Sequence, residues 1–237
     1  KVISKKVKNA KIFLGSETNV LERYYKAAKK YKANIIIRIC GDCPFVDPDV
    51  IDKMFQDYDK SKVDYLSNTI IPTFPDGLDV EIFNYKVLRK VYKNAKKHDD
   101  LEHVTKYILD NNCFKKKNFI NNKDLSKLRL TIDEKIDLEV LRNVYKKINK
   151  KFNFNLSDIE QLYKKNKNIF KVNSNIKRNQ GSYLSTGQKL WKRAKTLIPG
   201  GNMLLSKRPE MYLPEVWPTY YSKAKDCFVW DLDNKKY

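Results

Sequence analysis

Cysteine and histidine are scarce in this chain, with four and two respectively in 237 residues. Four cysteines in a chain of this size make no disulfide framework, which fits a reducing, cytoplasmic setting. Cys40 and Cys43 form a C-x-x-C pair, but Cys113, Cys227, His98 and His103 supply no second pair at zinc-ligand spacing, which argues against metal-thiolate and redox chemistry. Long apolar runs are absent too: none approaches the roughly 20 residues needed to span a bilayer, and no signal-peptide pattern is visible. The chain opens on Lys1 without a methionine and stops at Tyr237 in mid-pattern, so it is expected to be a piece of a longer protein.

Hydrophobic residues make up 41% of the sequence, enough for one large or two modest domains with a real core. Lys and Arg number 49 against 28 Asp and Glu, a formal net charge of +21. Such an excess is the footprint of phosphate or nucleic-acid binding when it is clustered. Here the lysines are scattered over helix surfaces (KAAKKYK, VYKNAKKHDD, VYKKINKK) in a chain also rich in Asn and Ile. That pattern reads as compositional drift, with no specific nucleic-acid partner. A non-enzymatic basic nucleic-acid-binding module remains the contrasting reading, and its mark would be a DNA affinity that falls steeply with salt.

Hydrophobic periodicity orders the elements. KIFLG (11–15) reads as a short strand, and Val20 to Tyr31 as a helix. NIIIRIC reads as a buried strand of a sheet covered on both faces. Asp47 is placed to cap a helix with Pro48 in its first turn. VDYLSN and GLDVEIF read as strands, KVLRKVYKNAKK and LEHVTKYILDN as helices, and LRLTID as a strand leading into the helix DLEVLRNVYKKI. Alternating strands and helices predict an α/β domain with a mostly parallel sheet.

Ligands of such sheets bind beyond the carboxyl ends of the strands. Strand 35–40 ends at Gly41-Asp42 and strand 128–132 at Asp133, so two carboxylates could share one edge. Hard oxygen ligands there suit Mg2+, which takes one or two protein carboxylates and fills its shell with water and substrate phosphates. The alternative is that Asp42 caps a turn and Asp133 caps a helix. Asp79 and Glu81 lie two apart on a strand and share a face, for sugar hydroxyls or merely for a salt bridge. Glu102 and His103, at a helix start, are candidate catalytic residues acting on the acceptor, or members of an ordinary polar network. Arg38 and Arg129 sit inside apolar strands and need an anionic partner, substrate phosphate or structural carboxylate.

GSETNVLERYYKAAKKYKANIIIRICGDCPFVDPDVID, PDGLDVEIF, LEHVTKYI and LRLTIDEKIDLEVL, in that order, resemble the spore-coat polysaccharide type of cytidylyltransferase, relatives of the synthetases of CMP-Kdo and CMP-sialate. The likeness continues through NLSDIEQLYKKNKNIFKVNSNIKRNQG and covers about residues 1–181. It implies a Rossmann-like nucleotidyltransferase sheet and cytidylyl transfer from CTP to a sugar or sugar acid. It also implies Mg2+ on Asp42 and Asp133, with Asp79 and Glu81 toward the sugar hydroxyls. The family opens with a strand and a triphosphate-cradling loop that has no counterpart before Lys1, so the domain is expected to be incomplete and inactive alone.

Three segments follow from this reading: 1–150 as the nucleotidyltransferase domain, 151–181 as its helical tail or linker, and 182–237 as something else. The last carries all three tryptophans and half of the prolines: a helix over 185–196, a Pro-Gly-Gly turn, an irregular aromatic arm and the strand FVWDLD of a half-built hairpin. LWKRAKTLIPGGNMLLSKRPEMYLP and AKDCFVWDLDNKKY resemble the N-terminal arm of class III pyridoxal-phosphate aminotransferases, close to glutamate-1-semialdehyde aminomutase-like proteins of fold type I. The resemblance implies a bifunctional enzyme whose full length binds pyridoxal phosphate and forms a homodimer. Alternatively, the aminotransferase is the main activity of that longer protein.

Overall fold

The computed structural model describes residues 7, 9–148, 154–176, 178, 186–202, 204–212 and 217–237. The chain divides into two compact units, Lys1–Ser174 and Asn175–Tyr237. The expected segment boundaries near 150 and 181 lie outside the described residues.

In the first unit the chain runs through α1 (Val20–Lys30), β1 (Ile35–Arg38), α2 (Pro48–Ser61), β2 (Tyr65–Ser67), β3 (Glu81–Asn84), α3 (Tyr85–Asn94), α4 (His98–His103), α5 (Lys106–Asp110), β4 (Lys116–Asn118), α6 (Lys135–Ile148), α7 (Leu156–Lys165) and α8 (Lys167–Lys171). Local chemistry explains the helix starts. The Asn19 and Asn84 side chains accept the N–H groups of Glu22 and Val87, Asp47 accepts from Asp49 with Pro48 in the first turn, and Asn155 and Asp158 form a capping box. Each satisfies a backbone donor that the helix cannot.

The four strands form one sheet in the order β1-β3-β2-β4. β3 is antiparallel to both β1 and β2, and only β2 and β4 run parallel. The fold is therefore mixed α/β, a correction to the mostly parallel sheet expected from the sequence. The run NIIIRIC misled because apolar content alone does not report neighbours. β1 is an edge strand among the described residues, and Ile37 and Ile39 are each 38% exposed.

Other strands are shorter than expected for identifiable reasons. Asn68 intervenes in GLDVEIF: its side chain accepts from Val80 N–H at 3.0 Å and donates to the Leu78 carbonyl at 2.8 Å. These side-chain bonds flank a long backbone bond from the Asn68 N–H to the Val80 carbonyl at 3.4 Å, the regular ladder ends there, and Asp79 falls before the strand. LRLTID makes only an isolated parallel bridge, Asp76 with Arg129. Residues 11–15 have no regular structure. Gly77, between Asp76 and the strand, has φ +98°, and an added Cβ would lie 2.4 Å from the Leu130 carbonyl carbon. Only glycine allows the chain that close.

Helices cover both faces of the sheet. Ile36, Tyr65 and Phe83 pack with Leu21, Val87, Leu88 and Val91 from α1 and α3; Leu66, Val80 and Ile82 pack with Val50, Met54 and Tyr58 from α2. A third cluster joins Phe45, Leu78 and Leu130 to α6, α7 and α8 through Val140, Val144, Ile159 and Phe170. Burial of these side chains is worth roughly 1.5–3 kcal/mol each.

The second unit contains α9 (Thr186–Leu197), β5 (Tyr221–Lys225) and β6 (Phe228–Asp231). Its hairpin is complete. The residues read as an irregular arm supply β5 as the antiparallel partner of β6, and buried Asp231 accepts the N–H groups of Asp233 and Lys235 across the next turn. At the Pro-Gly-Gly turn Gly200 and Gly201 have φ of +71° and +78°. Trp191, buried on α9, donates to Glu210 at 2.8 Å.

Phe83 is fully buried in the central strand, so Phe83→Ala should cost about 3–5 kcal/mol. A urea melt of the first unit should show this as a lower midpoint at an unchanged slope.

Candidate active site

The carboxyl end of β1 collects most of the residues singled out from the sequence. Arg38 ends the strand, and Cys40, Gly41, Asp42 and Cys43 follow in a tight turn closed by the Cys43 N–H on the Cys40 carbonyl at 3.3 Å. Burial and then the charges of Asp42, Glu81 and Asp79 push the Cys40 thiol up, with Arg38 opposing. Burial, Asp79 and Asp42 do the same to Cys43. Both shifts run away from the thiolate form that nucleophilic cysteines need. The same interactions bring Arg38, Asp42, Asp79 and Glu81 to one place.

Asp133 arrives by a backbone contact. The Ile132 N–H donates to the Asp42 carbonyl at 2.9 Å, and the Thr131 hydroxyl reaches the same oxygen at 3.2 Å. Asp42 and the residue preceding Asp133 are thereby joined. The Asp42 carboxylate receives the Cys43 thiol at 3.4 Å. Asp133, half exposed, has one oxygen on Arg129 at 2.7 Å. Lone pairs remain on both carboxylates, a donor set that fits Mg2+ completed by water and phosphate. Among the described residues no three His, Cys, Asp or Glu side chains gather as a preformed metal cage.

Glu81 does not have the free face that sugar recognition would need. It is 6% exposed. Its Oε1 accepts from the Tyr65 hydroxyl at 2.5 Å and from the Thr105 hydroxyl at 2.6 Å, and its Oε2 pairs with Arg38 Nη1. The expectation that Glu81 binds substrate hydroxyls is corrected on this geometry: three internal donors occupy the carboxylate. Asp79 is half-buried just before β3.

Arg129 is likewise structural. Its Nε and Nη2 fork holds Asp137 at 2.9 Å on both bonds, Nη1 holds Asp76 at 2.9 Å, and Nη2 also reaches Asp133. Asp137 is fully buried and further accepts the N–H groups of Asp133 and Glu134 and the Asn173 amide. Of the two partners weighed for Arg129, carboxylate rather than substrate phosphate is what the structure supplies.

Glu102 and His103 end α4 rather than start a helix. The expected helix 101–111 breaks at Val104, whose φ of 59° and ψ of −56° make a γ-turn, with the Thr105 N–H 2.5 Å from the His103 carbonyl. This conformation is rare and strained, above all for a β-branched residue. Glu102 faces His98 at 3.7 Å on the helix surface, 39% exposed. His103 stays beside the Glu81 network through Thr105.

Tyr65, Thr105, Asp76, Asp137 and Asn173 were not singled out from the sequence. Thr105 sits inside LEHVT and Asp76 inside the Pro-Asp-Gly turn, so motif context offered a signal for those two; Tyr65, Asp137 and Asn173 read as ordinary strand, helix and tail residues.

Residues 3–189 match the cytidylyltransferase family model. An uncharacterized protein of Methanocaldococcus jannaschii, MJ1063, is 36% identical over 178 residues, covering 73% of this chain and 70% of its own. The spore coat polysaccharide biosynthesis protein SpsF of Bacillus subtilis is 32% identical over 160 residues, covering 66% of this chain and 65% of its own length. The solved structure of a cytidylyltransferase from Leptospira borgpetersenii superposes with a TM-score of 0.68 at 34% identity, covering 74% of this chain and 73% of that one.

Burial raises the Asp137 carboxyl, but hydrogen bonds from Arg129, Asn173 and two backbone N–H groups outweigh it and hold the group at about 2. An unfolded aspartate titrates near about 3.9. The folded value is depressed, so the stability it contributes is fully present above the unfolded value and is lost as pH falls toward 2. Asp137→Asn should flatten this acid limb of the stability profile and, by breaking a buried pair, cost about 3–5 kcal/mol at neutral pH. Denaturant melts across pH 2–7 would check both.

Proposed function

Since the chain belongs to the cytidylyltransferase family, we propose that it serves cytidylyl transfer from CTP to a sugar or sugar acid destined for a surface polysaccharide. The joining of Asp42 to the segment bearing Asp133 by the Ile132 N–H is the observation that carries this reading. In the reaction an acceptor hydroxyl oxygen forms a bond to the α-phosphorus, the bond from that phosphorus to the bridging oxygen breaks, and pyrophosphate leaves. Mg2+ bound by Asp42 and Asp133 would supply charge neutralisation on the phosphates. The chain's own part is positioning: Asp42 and Asp133 orient the phosphates, Asp79 accepts hydrogen bonds from acceptor hydroxyls, and His103 takes the acceptor proton. Glu102, facing away toward His98, is at most an outer neighbour of that step.

The SpsF resemblance supports polysaccharide synthesis as the setting. A cytoplasmic location goes with it; no helix among the described residues is long and apolar enough to cross a membrane. For residues 182–237 the aminotransferase resemblance supports a second proposal, a fusion to a pyridoxal-phosphate aminotransferase or aminomutase-like enzyme that dimerises. The complete hairpin in the second unit is compatible with such an arm. In this stretch Lys195 is an exposed partner of Glu210 and is no candidate for a cofactor lysine. Reading the coding sequence beyond Tyr237 tests this proposal directly.

The transferase reading predicts CTP binding that requires Mg2+ and discriminates against UTP. Asp42→Asn and Asp133→Asn should each weaken Mg2+-dependent CTP binding by at least about tenfold, the scale on which metal sites respond to lost support. Isothermal titration with and without EDTA reads the outcome. Mg2+-independent CTP binding, or equal loss with DNA as salt rises, would count against the enzyme.

A further inference from the structure

Two arginines occupy apolar strand segments of this fold, and their surroundings differ at one edge of the guanidinium. In Arg129 the Nε and Nη2 fork is filled by both oxygens of Asp137. In Arg38, Nη1 alone finds an acceptor among the described residues, the Oε2 of Glu81. Its Nε is buried with no hydrogen-bond partner. A buried donor on a charged group that is left unmade is costly, more so than for a neutral group. The Arg38 side chain is 18% exposed, so it is open on part of its surface even though that nitrogen is covered.

We propose, building on the transferase reading, that the empty Nε–Nη2 edge of Arg38 is an oxyanion receptor at the carboxyl end of β1, taking a carboxylate or a phosphate of the bound substrates. A guanidinium fork matches two oxygens of either group. Arg38 is held for this role. Glu81, its cross-strand partner in the register of β1 and β3, anchors Nη1, and Tyr65 and Thr105 in turn saturate the other Glu81 oxygen. Thr105 reaches Glu81 because of the γ-turn at Val104, a buried β-branched residue at positive φ. Strain of that kind persists only where the surroundings over-determine it, and it gathers at functional sites. Tyr65 and Thr105 are therefore positioning residues, acting on the ligand through Glu81 and Arg38. Because Nε is covered, filling this edge would require that cover to shift.

The test follows the Arg38 Nε–Hε resonance of the whole 15N-labelled chain without Mg2+, while inorganic pyrophosphate and, separately, glucuronate are added at constant ionic strength. At least one probe should shift the Arg38 signal saturably while that of Arg129 stays in place. Arg38→Lys keeps a cation opposite Glu81 but loses the fork, and should weaken the same probe at least about tenfold. Thr105→Val should weaken it about three- to tenfold, with Thr105→Ser restoring it, and urea midpoints of each variant report whether the fold is intact. A response to pyrophosphate alone assigns the edge to nucleotide phosphates, and one to glucuronate alone assigns it to an acceptor carboxylate. No movement of the Arg38 resonance, or wild-type affinity in folded Arg38→Lys, overturns the receptor; Thr105→Val binding as wild type overturns the positioning role. Neither CTP nor metal enters these titrations, so their failure leaves the Asp42 and Asp133 result standing, and the converse holds.

Discussion

The Glu81 carboxylate lies in the middle of a sheet and is nearly inaccessible to water. An uncompensated charge there would cost far more than the net stability of a typical domain leaves spare. It is tolerated because three donors converge on it from different parts of the chain: Arg38 from β1, Tyr65 from β2 and Thr105 from the turn after α4. The pairing register sets two of these meetings, with Arg38 and Ser67 opposite Glu81 and Tyr65 one position removed on the same face. The third requires the chain to leave α4 abruptly, which the γ-turn at Val104 accomplishes.

Such a network contributes less stability than an apolar core of equal volume, since desolvation of the pair offsets its attraction. Its contribution is specificity of arrangement. A one-residue slip of β3 would turn Glu81 onto the face occupied by Leu66, Val50 and Met54 and would remove all three donors at once. The buried charge and the apolar faces around it thus specify the same sheet register.

A second buried constellation surrounds Arg129. Arg129 ties the Pro-Asp-Gly turn, the start of α6 and, through Asn173, the end of the first unit into one hydrogen-bonded group. Asp133 hangs from its rim, half exposed. Gly77 is part of the same device, since its positive φ lets the Asp76 turn lie directly against the Leu130 backbone. The two arginines, alike in sequence context, differ in their surroundings: among the described residues the Nε–Nη2 fork of Arg129 is filled by Asp137, whereas the Nε of Arg38 has no hydrogen-bond partner.

Local chemistry made much of this legible from the residues. The capped starts of α1 and α2 and the hydrophobic faces of α3 and α6 depend on short spacings and follow from period and caps. Strand direction and the partners of buried charges did not. NIIIRIC is apolar enough for a central parallel strand yet is an edge strand antiparallel to β3. Glu81 alternates like a ligand-facing residue, yet its acceptors are taken by Tyr65, 16 residues away, and Thr105, 24 residues away. The sequence by itself determined the capped starts of α1 and α2 and the apolar faces of the longer helices, because those rest on neighbours in the chain. Tertiary structure decided which charges are tied into internal networks, because a buried group takes whichever donor the packing brings within 3 Å, and that donor is set by contacts distant in sequence.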